Sequence, residues 1–289
     1  MKLKGMDKLR EKLPGYPGKR IFLLPLRGIV AAILAYSFLI LLDIVPRLFP
    51  DIPVLVLLEP ILPILGSIII AALAVSLIAL IWKKRAPMKK EFGDLAYQKV
   101  IQKGVIGVMI IPSVVFHAAT SIRSLPPVPP INDLTIQFSQ SLLPLLGITG
   151  ELDILIRLAL AGFFMLVGML VIRSSILTFG IDYMTVVYLY FPEESEIQEH
   201  EIYSVVRHPA YMSGVILGGA AMFFCCSVYS ILIFMIAYFI FKVHIRREEA
   251  ELIDRFGEGY REYKQNIPGL YVRPRDLKTF IRFLFTESD

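Results

Sequence analysis

Two short segments of this chain carry side chains with chemical potential. The first reads Arg207-His208-Pro209-x-Tyr211-x-x-Gly214 and opens an uncharged apolar run, residues 211–241. The second follows that run: Glu248-Glu249-x-x-Leu252-x-x-x-Phe256-Gly257-x-x-Tyr260-x-x-Tyr263. Pro209 biases His208 away from helix and suits the first turn of the helix that follows. Arg207 and His208 are therefore expected in non-helical backbone at the mouth of a membrane, where exposed backbone groups need partners or a ligand. Glu248 and Glu249 fall where the apolar run ends, and two adjacent carboxylates there need a cationic partner or water. A blander use of the first segment is an interfacial anchor, with Arg207 on lipid phosphate and Tyr211 in the aromatic belt.

Other catalytic patterns are missing from the sequence. Gly257-x-Gly259 is followed by Glu262 where a dinucleotide fingerprint needs a third glycine, and it lies in a helical context. There is no Cys/His zinc spacing and no nucleophile elbow, so no metal is expected. A nucleotide-like cofactor would have to be held by membrane helices and their loops. The lone charges Arg27 and Arg157 sit near helix ends and are expected to snorkel. His117, near the end of an apolar stretch, is expected to be structural.

The elements that must position these residues follow from composition. Of 289 residues, 56% are hydrophobic and 19% charged, which excludes a disordered chain and argues against a soluble enzyme. Cys225 and Cys226 are adjacent and cannot form an ordinary disulfide. Residues 21–42, 61–82, 104–119 (with neighbouring residues) and 154–172 each read as a helix able to span the hydrocarbon core. Residues 211–241 are too long for one crossing and read as two helices joined by a tight turn near Cys225-Cys226-Ser227. Charge supports that split. Segments 1–20, 83–103 and 242–289 hold seven, seven and ten Lys/Arg, whereas 43–60 has only Arg47 and 121–153 only Arg123. The positive-inside rule then places both termini in the cytoplasm. The net charge of +5 is thus topology, and no nucleic-acid partner is expected.

The expected architecture is all-α: a polytopic membrane helical bundle of about six spans, with a C-terminal helical hairpin and a cytoplasmic amphipathic helix. Residues 1–150 form an N-terminal membrane region of about three spans. Residues 151–289 form a membrane core with a cytoplasmic C-terminal segment. Leu252, Ile253, Phe256, Tyr260 and Tyr263 recur at helical spacing and extend the last span as an amphipathic helix. The Pro-rich stretch 121–151 reads as an external loop with an interfacial piece around 136–146.

Together, the Arg207–Gly214 and Glu248–Tyr263 motifs resemble the isoprenylcysteine carboxyl methyltransferase and phospholipid methyltransferase superfamily. Arg173…Leu177-x-x-Gly180 looks like that family's segment ahead of the Arg-His-Pro block, and the resemblance covers roughly residues 155–275. It implies S-adenosylmethionine as cofactor, with Arg207, His208, Pro209, Tyr211, Glu248 and Glu249 in its pocket. It implies methyl transfer to a lipophilic acceptor, most readily a carboxylate such as a prenylcysteine or isoprenoid acid. Glu249 and Arg207 would then act electrostatically in catalysis, and the partners would be the lipid bilayer and a lipophilic or lipidated substrate. Phospholipid N-methylation is the alternative within the superfamily. Membrane sterol reductases, which bind NADPH, share a similar Arg-His-Pro-x-Tyr hairpin and are a second alternative. A non-catalytic membrane protein with these motifs as lipid anchors is a third. The chain departs from the family at His200-Glu201-Ile202, where a glycine commonly precedes Tyr203. It departs again in the acidic stretch 193–201, and at Gly269, where a basic residue commonly follows Pro268.

Overall fold

A computed structural model describes residues 4–120, 126–194 and 196–286; Arg123 lies outside the described residues. The protein is an all-α, multi-pass integral-membrane bundle, and no strand occurs among the described residues. Its main helices are α1 (Leu23–Leu48), α2 (Leu62–Lys83), α3 (Ala96–Thr120), α4 (Gly150–Phe179), α5 (Pro209–Cys225), α6 (Val228–Phe256), α7 (Glu258–Asn266) and α8 (Leu277–Phe285). Among the described residues, five helical segments are long and apolar enough to cross a bilayer, and α5 is a shorter apolar helix. Large side chains such as Ile33, Leu34, Leu155 and Phe163 remain exposed on α1 and α4, as lipid-facing helices require.

Small residues let the helices approach closely, as packing without a hydrophobic drive demands. A Cβ on Gly107 of α3 would meet the Ala74 carbonyl of α2 at 2.9 Å. Ser213 of α5 donates to the Gly168 carbonyl of α4 at 2.9 Å. Helix α5 has 17 residues, about 25 Å of helix, and ends where Cys226 turns left-handed (φ 51°). Ser227 then caps α6 in a reciprocal box with Ser230. At 29 residues, roughly 44 Å, α6 outruns the hydrocarbon core, so its last turns project beyond it.

One end of the bundle gathers the first and last described segments and the motif residues. Tyr97 donates to Thr185 O at 2.9 Å, Tyr190 to Ile81 O at 2.8 Å, and Lys4 to Thr178 O at 2.7 Å. Arg85, beyond α2, pairs with Glu251 of α6. The amphipathic continuation of α6 is not one helix. Gly257 adopts φ 60°, ψ −127°, a conformation closed to most L-residues, and the chain breaks there into α7. The break folds Tyr263 back under the bundle, where its hydroxyl donates to Tyr203 O at 2.7 Å.

The opposite end is closed by buried charge. Arg47 Nε donates to Glu59 Oε1 at 2.7 Å, with both side chains essentially inaccessible (0% and 1% exposed). Glu59 Oε2 also accepts from the backbone N–H groups of Ile131 and Asn132 at 3.1 and 2.7 Å. His117 lies 2.8 Å from Asp43 within the bundle, a structural pairing. Arg157 bonds Asp153 and the Phe224 carbonyl, while Arg27 reaches Gln102 at the other end. Because Glu59 satisfies one guanidinium and two backbone donors at once, Glu59→Ala is expected to cost about 3–5 kcal/mol. A thermal unfolding series in detergent micelles measures that loss.

Candidate active site

Arg207 and His208 lie in a non-helical link between the short turn Glu201–Ser204 and α5. Their conformation is held from outside. Arg207 N donates to Pro268 O at 2.9 Å and His208 N to Gly269 O at 3.1 Å, so the segment after α7 holds this link through two backbone hydrogen bonds. Pro209 occupies the first turn of α5, where its missing N–H costs nothing.

This pairing presents both side chains to Glu249. Arg207 Nε and Nη2 donate to Glu249 Oε1 at 3.2 and 2.7 Å, and His208 Nε2 stands 3.1 Å from the same oxygen. Lys264 Nζ of α7 takes the other oxygen at 2.8 Å. Arg207 Nη1 also donates to the carbonyls of Lys264, at 2.7 Å, and Ile267. The side chains of Arg207 and Glu249 are 10% and 8% exposed, so the cluster is desolvated as well as paired. Gly269 lies close beside it: a Cβ there would come within 3.3 Å of Arg207 Nη2, a tight approach that the paired guanidinium would have to yield to.

Glu248, one residue earlier, points elsewhere. Its Oε1 accepts from the Tyr188 hydroxyl at 2.9 Å, and its Oε2 is buried with no hydrogen-bond partner among the described residues. Burial, reinforced by the charge of Glu248, pushes the Tyr188 phenol well above its usual value, so it serves as a neutral donor. Burial likewise pushes Tyr260 up, with the charges of Glu249 and Glu248 adding to the effect. Tyr203, buried against Ser175 at 3.0 Å, is raised by burial too.

These residues surround a cavity of about 1130 Å³. Arg207, His208, Pro209, Tyr211 and Glu248 line it, whereas Glu249 stands behind Arg207 and His208 and does not. The structure therefore gathers all six motif residues, five at the wall and one in support. The acidic departure contributes Glu196, Ile197 and Gln198 to the wall. The remaining lining is largely apolar and runs along α2, α3 and α5 through the thickness of the bundle. Four participants carry no motif signal: Lys264, Tyr188, His244 and Trp82. His244 was the most accessible to sequence reasoning, since it precedes Glu248 by four residues and shares its helix face. Among the described residues no group of three His, Cys, Asp or Glu could hold a metal ion.

Residues 160–254 match the family model described as isoprenylcysteine carboxyl methyltransferase (ICMT) family. The resemblance carried by the motifs holds. All six motif residues fall inside the matched stretch; Trp82 and Lys264 fall outside it. Two curated relatives are similar to the chain, each described as "Probable protein-S-isoprenylcysteine O-methyltransferase", from Oryza sativa subsp. indica and subsp. japonica. Each is 24% identical over 103 residues, covering 35% of this chain and 54% of the relative. The chain thus spans about half the length of the curated relatives it matches. No solved structure matches it.

Glu249→Ala strips the counter-charge from a buried arginine and is expected to cost about 3–5 kcal/mol. Glu248→Gln keeps an acceptor for Tyr188 and is expected to stay within about 0.5 kcal/mol of the parent. Thermal unfolding of the two variants side by side checks the contrast.

Proposed function

We propose that this protein is an S-adenosylmethionine-dependent membrane methyltransferase acting on the carboxylate of a lipophilic acceptor, such as a prenylcysteine or isoprenoid acid. The observation that carries the reading is the unpartnered Glu248 Oε2 in the wall of a cavity that also meets Arg207, His208 and Tyr211. A buried acceptor oxygen without a donor is costly unless a ligand supplies one. S-adenosylmethionine fits that chemistry, since it brings an ammonium and a sulfonium that carboxylates favour and a carboxylate that N–H donors favour. Glu248 would hold its cationic or hydroxyl groups. Arg207 has one Nη2 N–H left beyond its bonds to Glu249, Lys264 and Ile267, and that donor would serve the carboxylate.

Bound there, the cofactor would supply an electrophilic methyl group. The chain's own work is positioning. An ionised carboxylate acceptor needs no general base, so rate enhancement would come from alignment, exclusion of water and the local field. Glu249 holds Arg207 and His208 in place and acts through them. Arg247, exposed at the cavity, is placed to orient an anionic acceptor. The apolar length of the cavity suits a lipid chain that enters sideways from the bilayer. By the positive-inside rule this site and both termini face the cytoplasm.

The test uses purified protein in lipid with methyl-labelled S-adenosylmethionine and a prenylcysteine analogue. The expected product releases labelled methanol in alkali, the mark of an ester. Alkali-stable lipid label would move the reading to N-methylation, and no transfer with no cofactor binding would end it. Glu248→Ala is expected to weaken cofactor binding about tenfold or more, read by equilibrium dialysis, because a charge-assisted contact is lost.

A further inference from the structure

Trp82 is the one tryptophan of the chain and lies near the end of α2, outside the stretch that matches the family. Its indole nitrogen Nε1 is buried and has no hydrogen-bond partner among the described residues, yet the side chain lines the cavity. An indole N–H donates and cannot accept, and leaving it buried and unpaired is unfavourable. The ring is fixed edge-to-face on His244 of α6, with centroids 5.0 Å apart. His244 in turn meets Tyr211 edge-to-face at 5.5 Å, and Tyr211 lies 5.7 Å from His208. One line of rings therefore joins the N-terminal helices to the Arg207–Glu249 cluster.

The position of Trp82 says which part of a ligand it meets. On its α2 and α3 side the cavity is lined by Ile78, Ile81, Ile101 and Val105, all apolar. On the α6 side stand His244, Arg247 and Glu248. Trp82 marks the border between the apolar length and the polar chamber. A ligand with a lipid tail along the first brings its polar head to that border.

We propose that Trp82 is the acceptor-positioning residue: its Nε1–H donates to a carboxylate oxygen of the lipophilic acceptor and selects an anionic oxygen head over an ammonium head. This rests on the methyltransferase reading for the acceptor's role, but the contact itself needs no cofactor. It also gives the N-terminal helices a function, since acceptor choice would come from α2 and cofactor binding from the matched stretch. An ammonium head has no lone pair to offer Nε1 and leaves the indole donor unpaired.

The single tryptophan supplies its own probe. Intrinsic fluorescence of the full chain in lipid vesicles is followed while S-farnesylthioacetic acid or farnesylamine is added, without cofactor. The expected result is a saturable emission change with the acid, and affinity for the amine at least tenfold weaker. In Trp82→Phe, which keeps a ring against His244 but removes the N–H, radiolabelled acid should bind about tenfold more weakly while the amine binds as in the parent. With cofactor present, KM for the acid should rise in the same proportion with kcat little changed. Equal affinity of the parent for acid and amine, or no emission change, would overturn the proposal. So would parental affinity for the acid in Trp82→Phe, or equal weakening of both probes with a lowered unfolding temperature. Failure of the methyltransferase reading has a separate signature: a parent protein that discriminates acid from amine at Trp82 but binds no S-adenosylmethionine.

Discussion

The carboxylate of Glu249 is the point on which the motif-bearing end of the bundle depends. It is nearly inaccessible, and both its oxygens are engaged, one by Arg207 and His208 and the other by Lys264. A buried charge survives only when pairing offsets its desolvation. Meeting that condition requires three separate parts of the chain: the link before α5, the last turns of α6, and α7. The backbone pairing of Arg207 and His208 with Pro268 and Gly269 completes the closure. One electrostatic requirement thus ties together segments more than fifty residues apart in sequence.

That closure sets the geometry of everything around it. With Glu249 committed to support, Glu248 is the one of this pair that reaches the cavity, and Tyr188 bonds it there. The unequal lengths of α5 and α6 complement this arrangement. The short helix begins at the Arg207-His208 link, while the long one carries His244 and the glutamates past the same level. Polar chamber and apolar length belong to one cavity. A reactive head group and an apolar tail could then share one space without either leaving its preferred medium.

The N-terminal helices are a separate contribution to the same space. They pack through glycine contacts such as Gly107 on Ala74, and they are locked at the far end by Arg47 and Glu59. Their apolar faces line much of the cavity, and Trp82 is among the lining residues. The stretch that resembles the methyltransferase family therefore does not build the cavity alone.

Much of this was legible in the residues. Long apolar runs fixed where the helices lie, because a backbone in lipid must satisfy its own hydrogen bonds and helix is the local solution. Pro209 announced the non-helical link, and the paired motifs marked the end of the bundle where charged side chains had to meet. Gly257 looked like part of a continuous amphipathic helix, because periodicity reports which face is apolar and not whether the backbone turns. Lys264, Tyr188 and Trp82 were silent, since nothing in their own neighbourhoods reveals which partner they meet elsewhere in the chain. Sequence by itself determined the helices, their apolar character and the clustering of Arg207, His208, Glu248 and Glu249 at a membrane boundary. Only the tertiary structure decided that Glu249 faces the cations and Glu248 the cavity. Adjacent residues on a helix point about 100° apart, and which direction is inward depends on how the other helices pack.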